Sequence, residues 1–120
     1  MDKITIEEYR KLTKPAKYGN RKVSIGGETF ASQKEADRWC HLLLLEKAGE
    51  VVKLTPHPVY QLLVNGVRIG KFTADFEWVS KDGEVHIEDV KGGQATKTTA
   101  YRLRKRLFEA CHFPLVVEEL

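Results

Sequence analysis

The stretch from Phe72 to Gly93, FTADFEWVSKDGEVHIEDVKGG, constrains the fold more than any other part of the chain. Its first run alternates with the period of a β-strand, setting Phe72, Ala74, Phe76 and Trp78 on one face and Thr73, Asp75, Glu77 and Val79 on the other. Lys81, Asp82 and Gly83 supply turn chemistry, so the stretch predicts a β-hairpin. In the second run, Glu84 to Lys91, residues two apart share a face, which groups Val85, Ile87, Asp89 and Lys91. An acid and a lysine therefore emerge side by side where an apolar strand face ends, just before Gly92 and Gly93. With Asp75 available from the neighbouring strand, two carboxylates and an ammonium are placed to hold a divalent cation and to orient a water against a phosphodiester.

The flanking segments read as scaffold for that hairpin. Residues 5–12 predict a short helix with Thr5 and Glu8 as a capping box, too short to stand alone. Lys14 to Lys22 mixes Pro, Gly and Asn with its cations and reads as a linker or a DNA-contacting strap. Val23 to Phe30, with Gly26 and Gly27 at its centre, predicts a small hairpin. A helix opens at Ser32, where Glu35 stands at the capping-box position, and closes before Gly49; Ala36, Trp39, Cys40, Leu43 and Leu44 form its apolar stripe. From Val51 to Val64 the chain is β-prone but interrupted at Thr55 to Pro58, which predicts one bent edge strand or two short ones, and Asn65-Gly66 turns the chain into Val67. After a polar loop, a helix runs from about Thr98 to Cys111 with Ala100, Leu103, Leu107, Ala110 and Cys111 towards the core and Arg102, Lys105, Arg106 and Glu109 outside. Pro114 ends it, and Leu115 to Val117 predict a last strand.

Composition bounds the function. A 120-residue chain with 42% hydrophobic residues suffices for one domain with its own core, here residues 23–120 behind a basic arm over 1–22. Cys40 and Cys111 fall on the apolar positions of predicted helices without zinc or disulfide spacing, so both are expected as reduced core residues in a cytoplasmic protein. No apolar run reaches the roughly 18 residues of a membrane span, and the charged MDKITIEEYRKL start does not read as a signal peptide. The net charge of +3 is small but lopsided: Lys11–Lys22 and Lys97–Arg106 each hold five basic residues and no acid. Two basic clusters around an acidic centre fit a polyanion held against a metal site, while either alone reads equally well as a solvated face.

The order helix, three strands, helix, strand over Ser32 to Glu118 resembles the αβββαβ core of the PD-(D/E)XK nuclease superfamily, an α/β, restriction-endonuclease-like fold with a mixed central sheet flanked by helices. The motif corresponds to Asp75, Asp89 and Lys91. The wider pattern, SQKEA at 32–36, ADF at 74–76 and EDVKG at 88–92, is similar to small phage-encoded endonuclease-like domains and to the nuclease domain of transposon-end endonucleases. Ala74 stands where many members have proline, and of Glu88 and Asp89 only Asp89 shares a strand face with Lys91.

The resemblance implies Mg²⁺-dependent hydrolysis of DNA phosphodiesters, with Mn²⁺ as a substitute, in phage or mobile-element DNA processing; a phage protein would act in the bacterial cytoplasm. Asp75, Asp89, the Val90 carbonyl and Glu35 would hold the ion, and Lys91 would position the attacking water and stabilise charge developing on phosphorus. Lys17, Arg21, Lys22, Gln94, Thr96, Lys97, Thr98, Arg102, Lys105 and Arg106 are the expected nucleic-acid contacts, and cutting both strands would need two sites, as in a homodimer. The rival is a nuclease-fold module that grips nucleic acid without cutting it; a third reading is a structural subunit docking through the Lys14–Lys22 arm. Asp89 and Lys91 also admit the plainer reading of a surface salt bridge, and Glu35 that of a helix cap. His41, His57, His86 and His112 lack metal-ligand spacing to one another, which argues against zinc, and Trp39 and Trp78 lie on apolar stripes as core residues rather than base-stacking platforms.

Overall fold

The computed structural model of the chain describes residues 22–91 and 98–120; the expected helix over 5–12, nearly all of the basic arm, and the loop over 92–97 lie outside the described residues. In chain order the elements are β1 (Val23–Ile25), β2 (Glu28–Phe30), α1 (Gln33–Lys47), β3 (Val51–Pro56), β4 (Val59–Val64), β5 (Val67–Thr73), β6 (Phe76–Ser80), β7 (Val85–Asp89), α2 (Thr99–Cys111) and β8 (Val117–Glu119). Local chemistry sets several boundaries. Gly26 and Gly27 both adopt positive φ between β1 and β2, as a tight two-residue turn requires. Ser32 caps α1 by accepting the Glu35 N–H, and Asn65-Gly66, again at positive φ, turns β4 into β5.

The main sheet is mixed, in the order β3-β6-β7-β8, antiparallel except for the parallel β7/β8 pair. β4 and β5 form a separate antiparallel ribbon. Two apolar clusters cover the sheet. On one face, α1 and the β1/β2 hairpin pack Phe30, Ala36, Trp39 and Leu42 around Phe76. On the other, α2 and the ribbon pack Leu62, Phe72 and Phe108 around Ala74, Ile87 and Val117. The fold is therefore α/β, with helices on both faces of a mixed sheet.

Two expectations are corrected. Phe72 to Val79 is not one strand: Phe72 and Ala74 belong to the α2 cluster, Phe76 and Trp78 to the α1 cluster, and the chain crosses between them at Ala74-Asp75. Alternation records only that each side chain is buried, not in which core, so a strand that changes partner reads as a continuous one. The second correction concerns α2, whose inward stripe is Tyr101, Lys105, Phe108 and His112, at spacings of four, three and four, with Leu107 beside it. Three of these carry an apolar body and a polar tip, which disguised the stripe. Leu103 and Cys111 are exposed, and the Cys111 Sγ lies 3.2 Å from the Leu63 carbonyl; Cys40 alone is buried as expected.

The revised face of α2 predicts that Phe108→Ala, which empties a fully buried site against Tyr60 and Phe72, lowers unfolding free energy by about 3–5 kcal/mol. Leu103→Ala should stay within about 0.5 kcal/mol, as for an exposed position. Urea denaturation of both variants checks the assignment, and equal losses would contradict it.

Candidate active site

The acids singled out by sequence meet at one end of the main sheet. Asp75 lies in the crossing between the ribbon and β6, and three backbone hydrogen bonds fasten the crossing: the Asp75 N–H donates to the Glu88 carbonyl at 3.0 Å, its carbonyl accepts from His57 N–H at 2.8 Å, and neighbouring Ala74 N–H donates to Pro58 O at 3.1 Å. The carboxylates then lock the crossing to β7. Asp89 Oδ1 accepts from Asp75 N–H at 3.1 Å, while Asp75 Oδ2 accepts from Val90 N–H at 2.7 Å. Each acid thus holds the backbone beside the other, which sets their separation without a direct contact between like charges.

β7 sorts its side chains between the two helices. Glu88, only 1% exposed, faces α1, where Arg38 meets it through two bonds at 2.8 and 2.6 Å and Trp78 Nε1 donates a third at 2.9 Å. Asp89, 2% exposed, faces α2 and accepts from the Tyr101 hydroxyl at 2.9 Å. Lys91 follows on the same side: its Nζ is 3.8 Å from Asp89 Oδ2 and 3.7 Å above the Tyr101 ring, so the ammonium is held by a charge and a π-face together. Beyond the end of β7 the backbone is held to the C-terminal residue: Leu120 N–H donates to Asp89 O and Lys91 N–H to Leu120 O, while Lys34 Nζ donates to the Lys91 and Leu120 carbonyls.

Glu35, 6% exposed, enters from the first turn of α1 and lies 3.1 Å from His57 Nε2. His57 holds a positive φ of 50° between Pro56 and Pro58, a left-handed state that histidine, asparagine and aspartate adopt more readily than other non-glycine residues. Glu35, His57 and Asp75 share a cavity of about 300 Å³ with Lys22, Thr29 and Phe30. His57 and Tyr101 are the residues that sequence reasoning missed. A histidine between two prolines at the end of a β-prone run was the available signal for the first; the three-residue spacing from the Thr98 cap was a weak one for the second.

Burial lifts the Asp75 carboxyl to about 6; the Val90 N–H opposes the rise, Glu35 and Asp89 reinforce it, and Lys91 opposes it. Burial also raises Tyr101, followed by the charge of Asp89, so its phenol remains a donor. The oxygen donors of Glu35, Asp75 and Asp89 are of the type a hard cation takes, and such a cation would offset the carboxylate charges that add to the burial-driven rise at Asp75. Among the described residues, no three Asp, Glu, His or Cys side chains are gathered closely enough to cage an ion as they stand.

The expected nucleic-acid contacts divide. Lys17, Arg21, Gln94, Thr96 and Lys97 lie outside the described residues. Lys22, Thr98, Arg102 and Arg106 are exposed, but Thr98 Oγ1 already accepts the Tyr101 N–H. Lys105, expected on the outer face, turns inward to Glu119 at 3.3 Å because the α2 stripe runs through it. Trp39 stacks on Phe76 in the core and Trp78 on His86, so both rings are occupied within the fold. No helix among the described residues is long and apolar enough to cross a membrane.

Residues 15–118 match the family described as "Protein of unknown function (DUF1064)", and the chain belongs to that family. No curated protein and no solved structure matches the chain.

The Asp75 environment predicts a pH signature of folding. An unperturbed aspartate titrates near 3.8 and Asp75 near 6, so between these values the folded protein keeps a proton that the unfolded chain has lost. Stability must then fall as pH rises through that window, with no further change from this group above it. Asp75→Asn retains an oxygen for the Val90 N–H but no charge, so its stability relative to the parent should climb from pH 4 to pH 6 and then level. Urea midpoints across pH 4–8 measure this, and parallel curves for the two proteins would refute it.

Proposed function

We propose that the chain is a divalent-cation-dependent DNA endonuclease built on a PD-(D/E)XK-type core. The observation that carries this reading is the mutual lock of Asp75 and Asp89 with Lys91 alongside, three residues of the motif joined at one sheet end. The chain order supports it. With the β4/β5 ribbon set aside as an excursion, α1, β3, β6, β7, α2 and β8 follow the αβββαβ sequence of that superfamily.

Asp75 and Asp89, with the Val90 carbonyl and Glu35, would hold Mg²⁺ or Mn²⁺, which when bound supplies Lewis-acid polarisation of a phosphoryl oxygen and a more acidic water. Lys91 orients that water and offers its ammonium to the charge that develops on the phosphoryl oxygens. Tyr101 and Asp89 hold the ammonium in place beforehand, so little reorganisation accompanies the step. Lys22, Arg102 and Arg106, with the residues of the arm and of the 92–97 loop, would bring the DNA backbone to the site. Processing of phage or mobile-element duplexes fits two such sites in a homodimer.

One observation favours the rival reading, a module that binds nucleic acid without cleaving it: Asp75 Oδ2 and Asp89 Oδ1 are both engaged by backbone N–H groups. Paired variants separate the two. Lys91→Ala should lower cleavage in Mg²⁺ or Mn²⁺ by roughly 100-fold or more while leaving DNA affinity in Ca²⁺ nearly unchanged. Asp89→Asn should lose Mn²⁺ binding, read by calorimetry, together with cleavage. A parent protein that cuts no nicked, branched, single-stranded or duplex DNA, or a Lys91→Ala variant as active as the parent, overturns the nuclease reading.

A further inference from the structure

A second cavity, of about 400 Å³, opens between β5 and α2; its walls include Gly70, Lys71, Phe72, Thr73, Tyr101 and Arg104. Its origin is a missing side chain. Gly70 and Phe72 are two apart on β5 and face the same way, and the Phe72 ring packs against Tyr101 and Phe108 of α2. Gly70 therefore faces α2 as well, and a Cβ built on it meets nothing within 4 Å.

Among the described residues the lining contains Arg104 from α2, with Lys71 bordering it on the opposite parity of β5, and no carboxylate. Arg104 lies three residues from Tyr101 and four from Phe108, on the side of α2 turned to β5. Neither Arg104 nor Lys71 forms an ion pair with another described residue. An open recess bordered by the uncommitted Arg104 and, among the described residues, by no acid suits an anion, and guanidinium chemistry favours a phosphate. Position narrows the source. Tyr101 is a common wall: its hydroxyl holds Asp89 and its ring carries Lys91, while the residue also lines the recess. A strand that presents one phosphate to Asp75, Asp89 and Lys91 carries its next phosphates close by along the backbone.

We infer that the recess between β5 and α2 is a phosphate subsite for the nucleic-acid strand, gripping a backbone phosphate that flanks the one held at Asp75, Asp89 and Lys91. This rests on the nuclease-fold reading for the identity of the strand, but not on cleavage. Arg104 is the contact, and Gly70 keeps the space open.

Two variants of the full chain test it by different routes. Arg104→Ala removes the contact, and Gly70→Glu places an acid in the recess without touching either cation; Gly70 has no left-handed φ, so the substitution brings no backbone strain. Binding of a fluorescent 20-mer, single-stranded and duplex, is measured in EDTA across a salt series, with thermal melts confirming that each variant is folded. Each should weaken binding several-fold at low salt and lower the slope of log K against log salt by about 1. Unchanged affinity and slope in both folded variants overturn the subsite, whatever Lys91→Ala does to cleavage. A parent protein that binds neither oligonucleotide at low salt overturns it too. A reduced slope in a protein that cuts nothing upholds the subsite while removing the nuclease reading. Inorganic phosphate alone is titrated while the Gly70 and Thr73 amide resonances are followed. If they shift while oligonucleotide binding ignores both variants, the recess serves a free anion and the inference fails.

Discussion

The crossing at Ala74-Asp75 is the constraint on which the site depends. There the β4/β5 ribbon hands the chain to the main sheet, and Asp75 bonds both sides: its carbonyl to His57 at the end of β3, its N–H to β7. A crossing of this kind exposes peptide groups that no regular ladder satisfies, and a buried unpaired peptide is costly. Backbone carbonyls take up the Ala74 and Asp75 N–H groups, and the Asp75 carboxylate takes up the Val90 N–H just after β7. The residues available for chemistry are thus also the residues that close the fold, and a change at either acid touches both.

β7 extends this economy to two helices. Glu88 and Asp89 are adjacent, nearly fully buried and turned to opposite faces, and each has a helix-borne partner: Arg38 for Glu88 and Tyr101 for Asp89. Burying a carboxylate is strongly unfavourable unless charges or donors replace water. Glu88 has a guanidinium and an indole N–H, which makes it a structural ion pair. Asp89 has a phenol, a peptide N–H and an ammonium at 3.8 Å, a looser set. That asymmetry, more than burial alone, separates the two acids: Glu88 is closed by a guanidinium, while Asp89 is the one the proposed reading turns to a cation.

On the α1 side the same logic reaches Glu35, whose backbone N–H donates to the Ser32 cap and whose side chain meets His57. The N-cap chemistry that starts the helix also aims its first turn at the cavity shared with Asp75. The left-handed backbone at His57, between two prolines, is fixed by its N–H, which donates to Asp75 O, and by its ring packed against Phe30.

Local chemistry was legible in the sequence because it depends on neighbours along the chain. The turns at Gly26-Gly27, Asn65-Gly66 and Gly83, the Ser32 cap and the separation of Asp89 from Glu88 by strand parity all follow from residues within a few positions of one another. The interruption at Thr55 to Pro58 was equally visible, and it did separate two strands. What required the tertiary structure was every choice among distant partners: that the alternating Phe72–Val79 run serves two cores, that α2 turns Tyr101, Lys105 and Phe108 inward rather than Leu103 and Cys111, and that His57 meets Glu35 across 22 residues. Periodicity reports that a face is buried, and hydrophobicity does not name its partner. Side chains with an apolar body and a charged or hydroxyl tip can satisfy either face, so only the packed molecule decides which way they turn.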